Sequence, residues 1–360
     1  DATQRRTNLA EMIEVAHGAG ALFMADCDNQ ESALAAATAG ADFVGTTLSG
    51  YTPWSPASPG PDLELVRSLR GVACPIIAEG KYVEPWQARA ALNAGALAVV
   101  VGGALNDPLK QTARFVEGAA AYSGRVAAVD MGGTWLRFGV FESASQLVSS
   151  ERIPLPASRS MRNSWIMERL RGSGAQRLGI SSGGTIDPLT NTVIESKPSI
   201  PEHEGTRFDF GFDTFALNDG HATAWAHAHH LDFAGKRVAT LALGTGVGFG
   251  LVDRGTLLRG KSGEYVRLND LQLASGQTVE QVLGGATLTA TPSEEAKLRA
   301  SEVAIELIAT VKSLYYPDEI VMAGGIGLSD WLDCGQPRSP FAGDAGLFGA
   351  AALAYYPILT

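Results

Sequence analysis

The sequence predicts an α/β protein of two units, with a boundary near residue 123. Short apolar runs alternate with alanine-rich amphipathic segments up to Gly118, which is the pattern of parallel strands joined by crossover helices. From Arg125 to Phe141, two strand-like runs flank the Gly132-Gly133 turn, and this antiparallel opening cannot continue a βα barrel. The length of 360 residues also exceeds the ~250 residues at which a single core stops growing.

Composition narrows the class of protein. Hydrophobic residues make up 45% of the chain and charged residues 18%, as in a buried α/β protein rather than a disordered one. A net charge of -10 without any Lys/Arg run argues against a nucleic-acid partner. Three distant cysteines without paired spacing fit a reducing compartment. With no apolar run of ~20 residues and no signal-peptide pattern, we expect a cytoplasmic protein without a membrane partner.

Four apolar runs predict the strands of the first unit, namely Ala21–Cys27, Phe43–Leu48, Pro75–Glu79 and Ala96–Gly102. Their spacing suits barrel units, and each run ends in polar or glycine residues, where a barrel carries its site. Glu79 is therefore a candidate catalytic carboxylate. Alternatively, Glu79 caps the next helix or pairs with Lys81, which nothing in the sequence fixes in place.

The second unit opens with an apolar strand that runs into Asp130-Met-Gly132-Gly133-Thr134. Glycines let backbone N–H groups approach phosphate oxygens, the threonine hydroxyl adds a donor, and the aspartate can hold Mg²⁺ through water. The alternative interpretation is a tight hairpin turn without further function.

Two later strands also end in glycines. The run Leu241–Leu251 contains Gly244, Thr245, Gly246 and Gly248, which predict a second phosphate loop facing the first across a cleft. The run Val321–Gly327 contains Gly324 and Gly325, against which a nucleotide base could lie. The Gly132-Gly133 turn and the loop Gly244–Gly248, facing each other, could clamp the phosphates of ATP.

Asn218 and Asp219 follow the apolar run Phe215–Leu217 and precede the helix-like segment Ala222–His230. An aspartate at this point can take the proton of a sugar hydroxyl as the hydroxyl attacks the γ-phosphate. The structural alternative is that Asn218 or Asp219 only caps the following helix.

Two tempting motifs are set aside. Gly255–Ser262 fits the P-loop pattern, but no helical period follows the Lys261-Ser262 pair to receive phosphates at a helix N-terminus. The histidines of the Ala222–His230 region have no carboxylate or cysteine at ligand spacing, so we expect a solvated helix end there rather than a metal site.

Taken together, these segments resemble the repressor/ORF/kinase (ROK) family of sugar kinases, in order from Val126 to about Ala354. The resemblance implies an actin-like, hexokinase-like ATPase fold of two lobes around a cleft, with ATP and Mg²⁺ as cofactors. It implies that Asp219 is the catalytic base and that Asn218 helps to bind the sugar. It also implies phosphate or adenosine contacts at Asp130, Gly132, Gly133, Thr134, Gly244, Thr245, Gly246, Gly248, Gly324 and Gly325.

Further sugar contacts implied by this resemblance are Gly183 and Gly184 in a glycine turn, together with Glu264 and Glu280. Arg267 stands where the family has a sugar-binding histidine, and we count it among the sugar-binding residues. The zinc-binding cysteines of many relatives have no counterpart in Leu273–Glu280, so we expect no zinc site.

The first unit resembles the N-acetylmannosamine-6-phosphate 2-epimerases, which are TIM-barrel enzymes, in Leu22–Thr52 and in the phrases around Glu79 and Gly102. The resemblance implies a site carboxylate at Glu79 and phosphate contacts at Gly80, Gly102 and Gly103. Asp1-Ala-Thr matches the end of that family's fourth strand, so we expect residues 1–122 to form only the C-terminal half of a barrel. Such a half, without the strand that carries the family's catalytic lysine, should not be stable alone.

The two resemblances point to consecutive steps of sialic-acid salvage. They imply that residues 123–360 phosphorylate N-acetylmannosamine with ATP, fused to an epimerase region that is incomplete in this chain. The expected partners are a sugar and a sugar phosphate, and a homodimer is possible. The alternatives are a ROK kinase for glucose or N-acetylglucosamine, or a sugar-responsive ROK regulator, although no basic helix-turn-helix precedes the sugar domain.

Overall fold

The computed structural model describes residues 8–58, 60–119, 122–196, 199–285, 288 and 291–358. The chain divides into two compact units, residues 1–120 and 121–360. In the described part of the chain, no helix is both long and apolar enough to cross a bilayer.

The first unit is a parallel four-stranded sheet in the order β1-β2-β3-β4, with helices between the strands. Its central strands bury Val44 and Ala78 completely against Val66 and Leu69 of the following helical layer. Its elements are α1 (Leu9–Gly18), β1 (Met24–Asp26), α2 (Gln30–Thr38), β2 (Phe43–Gly45), α3 (Leu63–Ser68), β3 (Ile76–Glu79), α4 (Pro85–Ala94), β4 (Ala98–Val100), α5 (Gly103–Asn106) and α6 (Pro108–Ala119).

Local signals define the helix starts of this unit. Asn29 caps α2 by accepting a hydrogen bond from the Ser32 N–H at 2.9 Å, and the Ser32 hydroxyl completes a capping box. Pro85 occupies the first turn of α4, where its missing N–H costs nothing, and Gly95 ends that helix in the left-handed region. These caps set the alternation of strand and helix that the sequence predicts.

The second unit is built on two sheets. Its elements are β5 (Val126–Met131), β6 (Trp135–Ser143), β7 (Gln146–Pro154), α7 (Arg159–Ser173), β8 (Arg177–Ser182), β9 (Thr185–Asp187), β10 (Thr192–Glu195), β11 (Asp213–Asn218), α8 (Asp219–Ala228), β12 (Arg237–Leu243), β13 (Val247–Asp253), β14 (Thr256–Leu257), α9 (Val279–Leu283), α10 (Glu294–Tyr315), β15 (Glu319–Ala323), α11 (Gly324–Gly327) and α12 (Ala345–Tyr355). Short 3₁₀ turns cover Leu268–Asp270 and Ala342–Asp344.

The first lobe of this unit contains the five-stranded sheet β11-β8-β5-β6-β7, with the hairpin β9–β10 beside it. The central strand β5 is buried at all six positions, as expected for a strand covered on both faces. The second lobe contains the sheet β14-β13-β12-β15, which packs on α10 through Leu241, Val303 and Leu307.

Helices α8 and α12 lie between the two sheets. A Cβ atom at Gly179 would overlap the carbonyl of Ala350, so the absence of a side chain lets α12 lie directly on β8. The carboxyl ends of β5, β8, β11, β12 and β15 surround one cleft, and predicted site residues lie at or just beyond the end of each of these five strands.

Candidate active site

A cleft of about 250 Å³ lies in the second unit and takes residues from both sheets. Most of the predicted kinase residues line it. From the predicted set these are Asp130, Gly132, Gly133, Gly183, Gly184, Asn218, Asp219, Thr245, Gly246, Gly248, Glu280, Gly324 and Gly325. Folding thus brings six separate segments of the sequence to one place.

The first phosphate motif forms the hairpin turn between β5 and β6, where the Gly132 N–H donates to the Trp135 carbonyl at 3.0 Å. The hairpin interpretation is therefore correct in geometry, and the same turn also lines the cleft. A Cβ at Gly133 would come within 3.0 Å of the Ser199 Cβ, so a side chain here would disturb the wall of the cleft. The turn is consistent with both interpretations.

The second glycine loop faces the first one. Thr134 and Thr245, on opposite loops, are joined by a hydrogen bond of 3.0 Å between their hydroxyl groups. The loop is held in shape by the Gly244 N–H, which donates to the Gly246 carbonyl at 2.9 Å, and by the Gly285 N–H, which donates to the Gly244 carbonyl at 2.7 Å. Two backbone loops with facing hydroxyl groups suit a chain of phosphates.

Glu280 lies at the start of α9, beneath this second loop. Its carboxylate accepts the Val247 N–H at 2.9 Å, and a Cβ at Gly246 would meet the Glu280 Oε1 at 2.6 Å. Glu280 lines the cleft and contacts the second glycine loop, and its contact with a sugar stays a prediction.

The Asn218-Asp219 pair begins α8. The Asn218 side chain accepts from the Gly220 N–H at 3.0 Å and donates to the Gly184 carbonyl at 2.8 Å, so it caps the helix and ties it to the glycine turn of β8. Asp219 is partly exposed and lines the cleft. The helix-capping alternative therefore holds for Asn218, and Asp219 has the accessibility that a base requires.

Asp130 is almost completely buried at the end of β5. Its carboxylate accepts from the Arg137 guanidinium at 2.8 Å and from the Ser181 hydroxyl at 2.9 Å. Burial raises the pKa of Asp130, although the nearby Arg137 acts in the opposite direction. Because both oxygens already have partners, this carboxylate suits a magnesium ion only through an intervening water.

Gly324 and Gly325 follow β15 and begin the short helix α11. Gly324 has a φ of +79°, which a side chain would make unfavourable, and no atom occupies the space where a Cβ of Gly325 would lie. The backbone is therefore open to the cleft at this point.

Two predicted sugar-binding residues do not line the cleft. Glu264 folds back on its own turn and accepts the Ser262 N–H at 2.9 Å. Arg267 forms an ion pair with Glu195 of β10, and its side chain is close to half exposed. The residue between them, Tyr265, lines the cleft instead. Burial raises the pKa of Tyr265 to about 12, and Asp219 adds to that rise.

Arg137, Ser199, Tyr265 and Gly346 are cleft residues that the motifs did not indicate. Only Arg137 had a detectable signal, because it lies on the strand that leaves the Gly132-Gly133 turn, directly opposite Asp130. The other three reach the cleft from loops or from the start of α12, where no periodic pattern marks them.

The rejected P-loop is a local turn. The Gly260 N–H donates to the Glu264 carbonyl at 2.8 Å, and a short 3₁₀ turn at Leu268–Asp270 follows rather than an α-helix. Among the described residues, no helix begins directly after Lys261 to receive phosphates at its N-terminus.

The expectation of a solvated histidine-rich helix end is wrong. His221 and His227 are buried, and His227 bonds to the Thr223 carbonyl at 2.7 Å and to the Ser339 hydroxyl at 2.9 Å. Burial lowers the pKa of both histidines to about 4, so they are neutral near pH 7. Among the described residues, no group of three or more His, Cys, Asp or Glu side chains is arranged for a metal ion.

In the first unit, Glu79, Gly80, Gly102 and Gly103 all line a depression of about 490 Å³. The Glu79 carboxylate accepts from the Thr47 hydroxyl at 3.2 Å. Lys81 also lines this depression, but its ammonium group donates to the carbonyls of Ser58 at 2.8 Å and Gly50 at 3.2 Å. The expectation that nothing fixes Lys81 is therefore wrong.

Comparisons with known proteins match this division of the chain. The family model described as "Putative N-acetylmannosamine-6-phosphate epimerase" (NanE) matches residues 1–121, and the ROK family model matches residues 126–268. A "Putative N-acetylmannosamine-6-phosphate 2-epimerase" of Clostridium perfringens is 40% identical over 122 residues, covering 32% of this chain and 55% of the relative.

Among solved structures, a ROK family glucokinase from Streptomyces griseus, in complex with glucose and AMPPNP, has a TM-score of 0.56. At 21% identity, the match covers 64% of this chain and 99% of that one, and it confirms the two-lobed kinase fold of the second unit. The first unit agrees with the predicted partial barrel.

A relative that spans both units is the bifunctional enzyme NanE/NanK of Brucella melitensis. It is 30% identical over 410 aligned positions, covering 98% of this chain and 79% of the relative. The order of the two regions agrees with this match, and the chain belongs to the family of bifunctional NanE/NanK enzymes.

Proposed function

We propose that the second unit transfers the γ-phosphoryl group of ATP to the 6-hydroxyl of N-acetylmannosamine, and that the first unit is part of a 2-epimerase for N-acetylmannosamine 6-phosphate. The observation that supports the kinase proposal is the cleft, which is lined by Asp219 together with the two glycine loops. This is the set of groups that phosphoryl transfer to an alcohol requires: a base, phosphate-binding N–H groups and positioning side chains.

In the proposed reaction, the sugar hydroxyl attacks the γ-phosphorus and its proton passes to the Asp219 carboxylate. A new O–P bond forms, the bond from the γ-phosphorus to the β–γ bridging oxygen breaks, and ADP leaves. The Gly133 and Gly246 loops contact the phosphates of ATP, which arrives as its Mg²⁺ complex. The adenine ring of ATP lies along Gly324-Gly325. Asn218 fixes the start of α8 and so holds Asp219 in place.

The choice of sugar rests on the family. The relatives that span both units are named NanE/NanK, and an epimerase that uses N-acetylmannosamine 6-phosphate would take up the product of the kinase. Glucose and N-acetylglucosamine remain the competing substrates. The three free cysteines agree with a reducing compartment, so a cytoplasmic location belongs to the proposal, as does a homodimer.

The test is ATP consumption by the purified chain with N-acetylmannosamine, N-acetylglucosamine, glucose and mannose, with Asp219→Asn as the matched background. We expect the highest kcat/KM with N-acetylmannosamine, and a 6-phosphate product identified by NMR. A higher kcat/KM for glucose would assign a different sugar. If wild type consumes ATP no faster with any of these sugars than Asp219→Asn does, the proposal of a sugar kinase is refuted.

A further inference from the structure

The sequence predicts sugar contacts from Glu264 and Arg267, but a different residue of the same segment, Tyr265, lines the cleft. The Glu264 carboxylate accepts the Ser262 N–H instead, and Arg267 pairs with Glu195. Pockets for small polar molecules commonly combine aromatic rings with a few placed polar atoms, because the rings fill space and the polar atoms fix orientation. Tyr265 supplies both from one side chain.

The backbone that carries Tyr265 is fixed to the hairpin β9–β10. A Cβ atom at Gly263 would lie 1.9 Å from the carbonyl oxygen of Ile186 on β9, so the glycine lets this segment lie directly on the strand. Arg267 pairs with Glu195 of β10, which adds a second point of attachment. Tyr265 lies between these two points, so its backbone is held from both sides.

The ring of Tyr265 makes two further contacts. The His221 ring meets it at 90° with 6.3 Å between the centroids, and the Arg267 guanidinium lies over it at 5.5 Å from its centre. Both separations are in the range of favourable aromatic and cation–π contacts. His221 is buried on α8, two residues beyond Asp219. The ring is therefore fixed relative to the helix that carries the proposed base.

The hydroxyl group of Tyr265 has no fixed partner. Within the described ranges of the chain it makes no hydrogen bond, although the side chain is half-buried. Burial raises the pKa of Tyr265 to about 12, and the Asp219 carboxylate adds to this rise. The hydroxyl group is therefore protonated near pH 7, is able to donate a hydrogen bond, and lies within electrostatic range of Asp219.

We propose that Tyr265 binds the acceptor sugar, by donating a hydrogen bond from its hydroxyl group to an oxygen atom of the sugar beside Asp219. This inference rests on the proposed kinase function and adds a residue that orients the substrate. Sugars carry several oxygen acceptors, and a donor at a fixed position selects the orientation in which the 6-hydroxyl reaches the base. Because the ring is already held, little side-chain entropy is lost when the sugar binds.

A structural role is the competing explanation, in which Tyr265 only packs against His221 and Arg267. The change Tyr265→Phe separates the two roles, because phenylalanine keeps the ring and lacks only the hydroxyl group. A structural role predicts that the KM for the sugar is unchanged in this variant. A hydrogen bond to the sugar predicts a higher KM for the sugar and an unchanged KM for ATP.

The experiment measures kcat and both KM values for wild type, Tyr265→Phe and the control Tyr122→Phe, with N-acetylmannosamine as the acceptor. The control also removes a hydroxyl group, which donates to the Gln176 side chain at 2.8 Å outside the cleft lining. We expect Tyr265→Phe to raise the KM for N-acetylmannosamine roughly three- to tenfold, the effect of losing one neutral hydrogen bond. The KM for ATP in this variant, and all three values in Tyr122→Phe, should stay within about twofold of wild type.

An unchanged KM for the sugar in Tyr265→Phe, or equal rises in the KM for the sugar and the KM for ATP, would overturn the assignment. If Tyr265→Phe fails to fold, the otherwise unmodified chain is labelled with 3-fluorotyrosine at its eight tyrosines. Among the described residues, Tyr265 is the one tyrosine that lines the cleft. Saturating N-acetylmannosamine should therefore shift one fluorine NMR signal, and a spectrum without any shift would overturn the proposal.

The same spectrum separates this inference from the proposed function. If wild type phosphorylates none of the sugars tested, the proposed function fails, and the fluorine spectrum alone then decides for or against a contact between Tyr265 and the sugar.

Discussion

The two units differ in how they surround their sites. In the second unit, every residue of the central strand β5 is buried, and the site lies in a cleft lined from two sheets. In the first unit, the described strands β1 and β4 each pair with one neighbour only, and Leu22 and Leu97 beside them are 70% and 62% exposed. The comparison teaches that glycines and carboxylates at strand ends line a cleft between two sheets in the second unit, and a depression on a single sheet in the first.

The largest expected difference between the units is in catalysis. The 360-residue chain should phosphorylate N-acetylmannosamine but should not exchange the C2 proton of N-acetylmannosamine 6-phosphate. Exchange with inversion needs an acid and a base on opposite faces, and the described first unit offers Glu79 while Lys81 is held by two backbone carbonyls. The measurement is deuterium incorporation at C2 in deuterated water, followed by NMR. Incorporation at an enzymatic rate would mean that the four-stranded sheet is competent.

Within the second unit, the largest effect should come from Asp219→Asn. The amide keeps the shape of the side chain but cannot accept the hydroxyl proton, so kcat should fall by ~10²–10⁴ while ATP affinity stays nearly unchanged. The matched control is Asp232→Asn, just after α8, where the carboxylate is 75% exposed. Turnover equal to that of wild type in Asp219→Asn would exclude this residue from the mechanism.

A smaller effect separates the glycine loops from the rejected P-loop. An alanine at Gly246 would displace the Glu280 carboxylate, which accepts the Val247 N–H, and so disturb the loop that faces the phosphates. We expect ATP affinity to fall roughly tenfold, in line with the loss of one charged hydrogen bond. Lys261→Ala, in an exposed turn, should change affinity by less than about twofold. Calorimetry of ATP binding to both variants tests this prediction. A larger loss of ATP affinity in Lys261→Ala than in Gly246→Ala would support the P-loop interpretation.

A further expected effect concerns the pH dependence of stability. His203, His221 and His227 of the second unit are buried, and burial lowers the pKa of each to about 4. The unfolded chain binds protons at these histidines from about pH 6.5 downwards, whereas the folded chain does so only near pH 4. Stability should therefore fall as the pH drops through this window, by about 2 kcal/mol per histidine between pH 7 and pH 5.

His227→Gln should reduce the pH dependence of the free energy of unfolding by the contribution of one histidine. The measurement is urea unfolding at pH 7 and pH 5. The control is His17→Gln in the first unit, where the side chain is 43% exposed. A pH dependence in His227→Gln as steep as in wild type would show that His227 does not contribute to it.

The sequence alone predicts the positions of those site residues that lie at the ends of strands. Asp130, Asn218, Gly246 and Gly324 each stand at a strand end or in the turn beyond it, and the ends of parallel strands meet at one edge of a sheet. That is why four distant motifs predicted one cleft. Their individual roles remain predictions for the variants described above.

Other positions depended on packing between elements. Tyr265 and Ser199 lie in irregular segments, and Glu280 contacts the phosphate loop only because α9 packs under it. Arg267 pairs with Glu195, 72 positions earlier in the chain, which no local pattern predicts. The prediction for the histidines failed for the same reason, because α12 packs on α8 and buries it, which nothing in the sequence of α8 indicates.

The sequence by itself determined the two units, the order of strands and helices, and the motifs of the kinase, because these follow from periodicity and from local turn chemistry. Only the tertiary structure decided which side chains share the cleft, which carboxylate receives the Arg137 guanidinium, and which histidines lose their solvent. Burial and charge pairing depend on neighbours that are distant in the chain, and the free energy of a buried charge is set by those neighbours.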